Sequence, residues 1–365
     1  MRLFEVSDGF AGLVPRKEQF YNSVTVPDGV IVPIKDAISW QIYPRHRWVY
    51  NKLLICETQG VPHGPHGSVP FQFPIFSKPI YNMNGMGTGS RLISNLRDYD
   101  AAIEPGYMWM PLFEGRHLST DVALAHGVPC WWQHTTGVPG KQCTFDYWII
   151  HAEPEPAVEE YLTAWIAKHL QGFSGVVNLE TIGGRIIECH LRMTSQWPDL
   201  NGPGWLKAVV DLYAYGLWEF GTNRQQRVGY SVVLFANHGK SWSIDRNAVK
   251  ALLPAAGVTS IQLTFEDEAC PEGGTRLAII NCWNLEAGLT RPRSTYSWAT
   301  SEIQHCSPSE GATSMWRVRD GSLEGATSMW RVRDGSLEGA TSMWRVRDGS
   351  LEWVFRRGPS FAEEQ

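Results

Sequence analysis

Lys78 ends a short apolar run, Phe73-Pro74-Ile75-Phe76-Ser77, and is followed by Pro79 and then by Gly85, Gly87 and Gly89 before Ser90. Glycine at alternate positions lets backbone N–H groups turn toward an anion without side-chain hindrance. A lysine ammonium binds phosphate as a point charge. The stretch has neither the Lys-Ser/Thr ending of a Walker A loop nor the G-x-G-x-x-G spacing of a dinucleotide fingerprint, and both a phosphate cradle and a plain turn fit it.

A second group of reactive residues lies between 174 and 200, where two alternating runs flank Gly183-Gly184, a hairpin signal. A loop of Ile182-Gly183-Gly184 sets Asn178 opposite Glu188 and Glu180 opposite Ile186. Glu188 and His190 are two apart and share a sheet face. Asn178, Glu188 and His190 then form one polar cluster, with Arg192 just beyond. A cation bound to phosphates needs oxygen ligands on rigid strands; a solvent-facing polar hairpin is the plain alternative. In the third segment, 108–137, the bend Glu114-Gly115-Arg116-His117 feeds an alternating strand from Leu118 to Ala125. His63 and His66 sit isolated in a Pro/Gly loop, and there is no HExxH, G-x-S-x-G or EF-hand pattern.

The elements that must position these residues are legible in outline. Residues 157–170 repeat apolar side chains at helical spacing, with Pro154 and Pro156 ahead and Gly172 behind. Trp205 to Leu217 repeats the pattern. Both helices use tryptophan as core, which accounts for part of the 17 Trp in the chain. Residues 1–48 read as short extended pieces. Residues 228–290 hold strand-like runs (GYSVVLF, SIQLTF, TRLAIIN) and a helix near 246–253. Near the end, EGATSMWRVRDGSL recurs unchanged at 310–323, 324–337 and 338–351. Such identity points to recent tandem duplication, and the unit is too short for the common solenoid classes. SMWRV suits a strand and RDGS a turn. The segment reads either as a flexible tail or as a self-pairing or partner-binding arm using Trp316, Trp330 and Trp344.

The 365 residues, 43% of them hydrophobic, suffice for a sizeable core. Lys and Arg number 32 against 37 Asp and Glu, without the basic excess of a nucleic-acid binder. No run reaches the ~18 apolar residues of a membrane span. MRLFEVSDGFAGLVPRKEQF lacks the pattern of a secretory leader. Seven Cys, with no CxxC pair, read as reduced thiols in a cytoplasmic protein.

Taken in order, these segments resemble an ATP-grasp module over about residues 48–215. YNKLLICETQGV is similar to the family's entry helix, whose lysine, here Lys52, touches nucleotide phosphate. FPIFSKPIYNMNGMGTGS resembles its strand, lysine and phosphate loop, which gives those roles to Lys78, Gly85, Gly87, Gly89 and Ser90. MWMPLFEGRHLSTDV resembles the hinge that receives adenine, at Met110 and Leu112, and the strand beyond it. VNLE followed by IIECHLR resembles the metal signature. It implies Asn178, Glu188 and His190 as metal ligands, with Glu188 and Arg192 catalytic. His190 stands where the family usually has Asn, and Asn178 where it usually has an acidic residue. Imidazole in place of oxygen shifts preference from Mg²⁺ toward Mn²⁺, or makes His190 a substrate contact.

The resemblance implies an α+β, two-lobe fold of antiparallel sheets and packed helices, with ATP and Mg²⁺ or Mn²⁺ held between the lobes. The lobes fall at 49–110 and 111–220, after an extended segment at 1–48. A small β-rich appendage (221–300) and a flexible repeat tail (301–365) follow. The family's separate N-terminal substrate domain does not fit in 1–48, so substrate binding falls to the 228–290 segment or to a partner. The implied activity is ATP-dependent C–N ligation through an acyl phosphate, with a small carboxylate and an amine as substrates. A catalytically degenerate nucleotide-binding scaffold is the alternative within the same fold. A carbohydrate or peptide binder using exposed tryptophan is the alternative outside it.

Overall fold

The first 48 residues, rich in Val, Pro and Gly, do more than run extended. In the computed structural model, β1 (Gly9–Ala11) and β2 (Ile31–Pro33) pair in parallel, with the short helix α1 (Glu18–Tyr21) between them and α2 (Asp36–Ile42) after them. The structure describes residues 9–83, 87, 89–139, 145–150, 154–221, 227–236, 257–264 and 275–294, and the strand segments 312–319, 322–333, 336–347 and 350–357. Gly85 and the helix expected at 246–253 lie outside the described residues.

α3 (Lys52–Thr58) begins where the Asn51 side chain accepts the Leu53 N–H at 3.0 Å, a cap for an otherwise unpaired donor. Next come β3 (Gly64–Pro65), β4 (Ile75–Pro79), β5 (Arg91–Ile93), α4 (Leu96–Ala101) and β6 (Tyr107–Pro111). These strands form an antiparallel four-stranded sheet in the order β3-β6-β4-β5.

The larger sheet contains β7 (His117–Ala125), β8 (Val128–Pro139), β9 (Phe145–Ile150), β10 (Gly175–Ile182), β11 (Arg185–His190), β12 (Gly229–Ala236), β13 (Val258–Leu263) and β14 (Thr275–Cys282). Its order is β11-β10-β7-β8-β9-β12-β14-β13, and every neighbouring pair is antiparallel. The β-rich segment expected as an appendage is therefore hydrogen-bonded into this sheet, through β9 and β12.

Alternation along the central strands dresses both faces. Val122, Leu124, Val177 and Leu179 pack with Leu162, Trp165 and Ile166 of α5 (Pro156–His169). Ala123, Val176 and Trp131 pack with Trp205, Val209 and Leu212 of α6 (Trp205–Tyr215). Burial of side chains this size contributes about 1.5–3 kcal/mol each. α6 ends short of Leu217 because Gly216 adopts the left-handed conformation, φ 69°, that closes a helix. α7 (Leu285–Ser294) follows β14. Cys56, Cys130, Cys189 and Cys282 are free thiols. Among the described residues no helix is long and apolar enough to cross a membrane.

The chain divides into two compact units, one of residues 1–113 and 117–303, the other of 114–116 and 304–365. In the second, the repeats form β15 (Ala312–Arg319), β16 (Ser322–Arg333), β17 (Ser336–Arg347) and β18 (Ser350–Arg357), an antiparallel meander. In the backbone register Arg317 is opposite Glu324, Arg331 opposite Glu338 and Arg345 opposite Glu352. The sequence repeat is thus the strand-to-strand repeat.

Candidate functional site

Two ammonium groups from the smaller sheet and its helix meet the β10–β11 hairpin of the larger one. Lys78, on β4, is 3% exposed and its Nζ donates to the Ile187 carbonyl at 3.0 Å. Lys52, the first residue of α3, is 4% exposed and its Nζ lies 3.4 Å from Glu188 Oε1. Burial pulls the Lys78 pKa below the usual lysine value, with Glu188 opposing and Lys52 reinforcing the drop. The site therefore favours a further negative charge beside these amines.

The hairpin's register differs from the one read in the sequence. The turn is Gly183-Gly184 alone, both at positive φ (54° and 77°), so Ile182 pairs with Arg185. A bulge then leaves Ile187 unpaired, which sets Glu180 opposite Glu188 and Asn178 opposite His190. The bulged residue is the one whose carbonyl receives Lys78.

Glu180 thereby joins Glu188 and His190 on one face. His190 Nε2 is 3.5 Å from Glu188 Oε2 and 3.9 Å from Glu180 Oε1, and His117 Nε2 is 3.4 Å from Glu180 Oε2. Burial opposes ionisation of Glu188, but the His190 hydrogen bond and the two lysines outweigh it and hold the carboxyl at about 2. Glu180 is lowered too: burial and Glu188 push it up, and His117 and His190 prevail.

Across His190 stands Asp36, from the start of α2. Its Oδ1 is 3.2 Å from His190 Nδ1 and accepts from Tyr50 Oη at 3.2 Å; its Oδ2 accepts from Arg192 Nη2 at 2.8 Å. Asp36 is 4% exposed. Burial disfavours its charge, yet Arg192 and His190 hold it well below the usual carboxylate range. Burial likewise disfavours charge on His190, but Asp36, with help from Glu188, pushes its pKa up to about 9.

Asn178 is tied into a buried network on β7. Its Nδ2 donates to Asp121 Oδ1 at 2.8 Å and Ser119 Oγ at 2.9 Å, and Asp121 also accepts from the Thr194 N–H and hydroxyl. Burial raises the Asp121 pKa to about 6 against those bonds. Among the described residues, no group of three His, Cys, Asp or Glu side chains is set to hold a metal ion.

The remaining expected residues lie on β6, just after it, and between β4 and β5. Met110 is buried with Cys56, Met108 and Val61, and Leu112 is half-buried after β6. Gly87 and Gly89 have positive φ (59° and 76°), and the Ser90 N–H donates to the Gly87 carbonyl at 3.0 Å. Sequence reasoning missed Asp36, although it is the only acidic residue between Asp28 and Glu57. It also passed over Glu180, which lies two residues from Asn178 and so shares its face.

No protein-family model matches the sequence, and no curated protein does. Solved structures do match. An L-amino acid ligase from Bacillus licheniformis is 12% identical with a TM-score of 0.55, over 79% of this chain and 84% of that one. A phosphoribosylamine–glycine ligase from Thermotoga maritima is 13% identical, TM-score 0.54, over 79% and 86%. A carboxyaminoimidazole ribonucleotide synthase from Aspergillus clavatus, solved with ATP, is 13% identical, TM-score 0.52, over 73% and 81%. These are ATP-grasp ligases. The chain has the ATP-grasp fold.

In this ATP-grasp fold the smaller sheet and α3 contribute lysines and the larger sheet contributes carboxylates. The N-terminal segment adds Asp36, which pairs with both His190 and Arg192.

Proposed function

We propose that this ATP-grasp chain binds ATP and a divalent metal between the β4–α3 face and the β10–β11 hairpin, and is an ADP-forming carboxylate–amine ligase. The observation that carries the reading is the burial of Lys52 and Lys78 against Glu188. Two desolvated ammonium groups beside a pair of ionised carboxylates suit a triphosphate and its metal together.

Glu188 and Glu180, held ionised on adjacent strands, fit a hard cation such as Mg²⁺, with Mn²⁺ the alternative. An imidazolium engaged by Asp36 on one nitrogen and Glu188 on the other offers no lone pair to a metal. That supports an anion-binding role for His190, beside Arg192. The metal, when bound, would neutralise phosphate charge.

In the reaction, the substrate carboxylate oxygen attacks the γ-phosphorus, the bond to the β-phosphate oxygen breaks, and ADP leaves with that electron pair. The amine nitrogen then attacks the acyl carbon, phosphate departs and the nitrogen gives up a proton. Lys78 and Lys52 hold the phosphates and counter their charge. Arg192, fixed by Asp36, stabilises charge on the transferred group. Asp36 thereby acts as a positioning residue.

Calorimetry with ATP and Mg²⁺ or Mn²⁺ tests the reading, followed by ADP release in the presence of carboxylate and amine mixtures. Lys78→Ala is expected to abolish nucleotide binding. Glu188→Ala is expected to abolish turnover with nucleotide binding largely kept. Turnover by Glu188→Ala at the wild-type rate removes the metal assignment, and wild-type ATP affinity in Lys78→Ala removes the cleft.

A further inference from the structure

A cavity of about 290 Å³ opens where the end of α3, one side of α5 and the start of β11 come together. Gln59, Tyr161, Trp165, Lys168, His169 and Arg185 line it. None of the described residues that line it is acidic. Lys168 and Arg185, both exposed, give it positive charge. Tyr161 and Trp165 have their polar tips engaged within the protein. Tyr161 Oη donates to Gln59 Oε1 at 2.7 Å, and Trp165 Nε1 donates to Thr58 Oγ1 at 3.0 Å. His169 lies 5.2 Å from the Trp165 ring, centroid to centroid. What these rings offer a ligand is therefore flat apolar surface, next to cations.

The cavity is wired to the nucleotide cleft. Gln59 grips the hairpin by both backbone groups of one residue: it accepts the Ile186 N–H at 2.8 Å and donates to the Ile186 carbonyl at 2.8 Å. The next residue is the bulged Ile187, whose carbonyl receives Lys78, and the one after is Glu188. A ligand that shifts Gln59 or Tyr161 shifts that grip.

We propose that this cavity is a binding site for a small planar anion, an aromatic carboxylate or phosphate ester, which acts on the cleft through Gln59 and the hairpin. The volume is at the small end for ligand pockets and suits a single ring. The absence of acidic lining selects for negative charge, and the aromatic lining selects for a ring over a bare ion.

The test is titration calorimetry of the full-length protein with phenyl phosphate and with benzoate. Saturable binding tighter than about 1 mM is expected for at least one of them, and the tighter probe identifies which anion the site prefers. The double variant Lys168→Glu/Arg185→Glu, at two exposed positions and with its fold checked by thermal melt, is expected to lose about tenfold in affinity. Saturating ATP is expected to leave the probe bound, which separates this site from the nucleotide cleft. With the cavity saturated, the ATP dissociation constant is expected to shift by about twofold or more, and ATP to shift the probe's by the same factor. Absence of binding by the wild type, equal binding by the double variant, or full displacement of the probe by ATP overturns the site. ATP affinity that ignores a saturating probe overturns its link to the hairpin.

Discussion

Asp36→Asn removes one negative charge from between the buried His190 and the half-buried Arg192 while keeping the side chain's shape. The structure sets the size of the effect. Arg192 and His190 both contact this carboxylate, at 2.8 and 3.2 Å, and Asp36 is 4% exposed. Breaking such a pair from one side costs about 3–5 kcal/mol, because the remaining charge stays buried. His190 makes the loss depend on pH. Its folded pKa of about 9 lies above an ordinary value of 6.5, a difference equivalent to about 3 kcal/mol. A raised folded pKa stabilises fully below the unfolded value and is lost as pH climbs through the folded one. The wild type therefore gives up about 3 kcal/mol from this group between roughly pH 6.5 and 9, and Asp36→Asn, lacking the anion, does not. The gap between the two proteins should be about 3–5 kcal/mol near pH 6 and should narrow by about 3 kcal/mol near pH 9.5. Urea unfolding at both pH values measures it, with unchanged m confirming that the same transition is compared. A gap of the same size at both, or one under about 1 kcal/mol throughout, would refute the charge arrangement around His190.

Gln59→Leu should cost about 1–3 kcal/mol by leaving Ile186 and Tyr161 groups without their partner, and should weaken ATP binding because the hairpin loosens; unchanged values in both assays contradict the coupling. Gly89→Ala should destabilise by about 1–2 kcal/mol through its positive φ alone, and more because the new Cβ runs into the Tyr107 hydroxyl; a thermal melt checks it. Deleting 304–365 should leave ATP affinity unchanged by calorimetry, and a fall by light scattering from an oligomer's mass to a single chain's would mark the repeats as a self-association surface.

Much of the fold was legible because hydrophobic period and punctuation agreed. The helix expected at 157–170 forms at 156–169, and the three strand runs after 228 form β12, β13 and β14. Their joining the large sheet was not legible, because strand pairing over such separations leaves no local pattern. Within the site, the hairpin was visible and its register was not. A glycine pair announces a turn but does not say whether two or three residues make it, and nothing in RIIECH marks Ile187 as the bulge. Asp36 was invisible for a different reason: it reaches the cluster from 154 residues away, and a lone carboxylate ahead of a helix reads as an ordinary first-turn acid.

The pairing of β9 with β12 has an engineering consequence. The sequence motifs that resemble the family end near residue 215, but cutting there would strip β12 from β9 and bare a strand edge carrying Tyr147, Trp148 and Ile149. Exposed ladders of that composition recruit one another. A shortened protein made to match the recognisable region would aggregate before its chemistry could be examined, so expression work should carry the chain through α7.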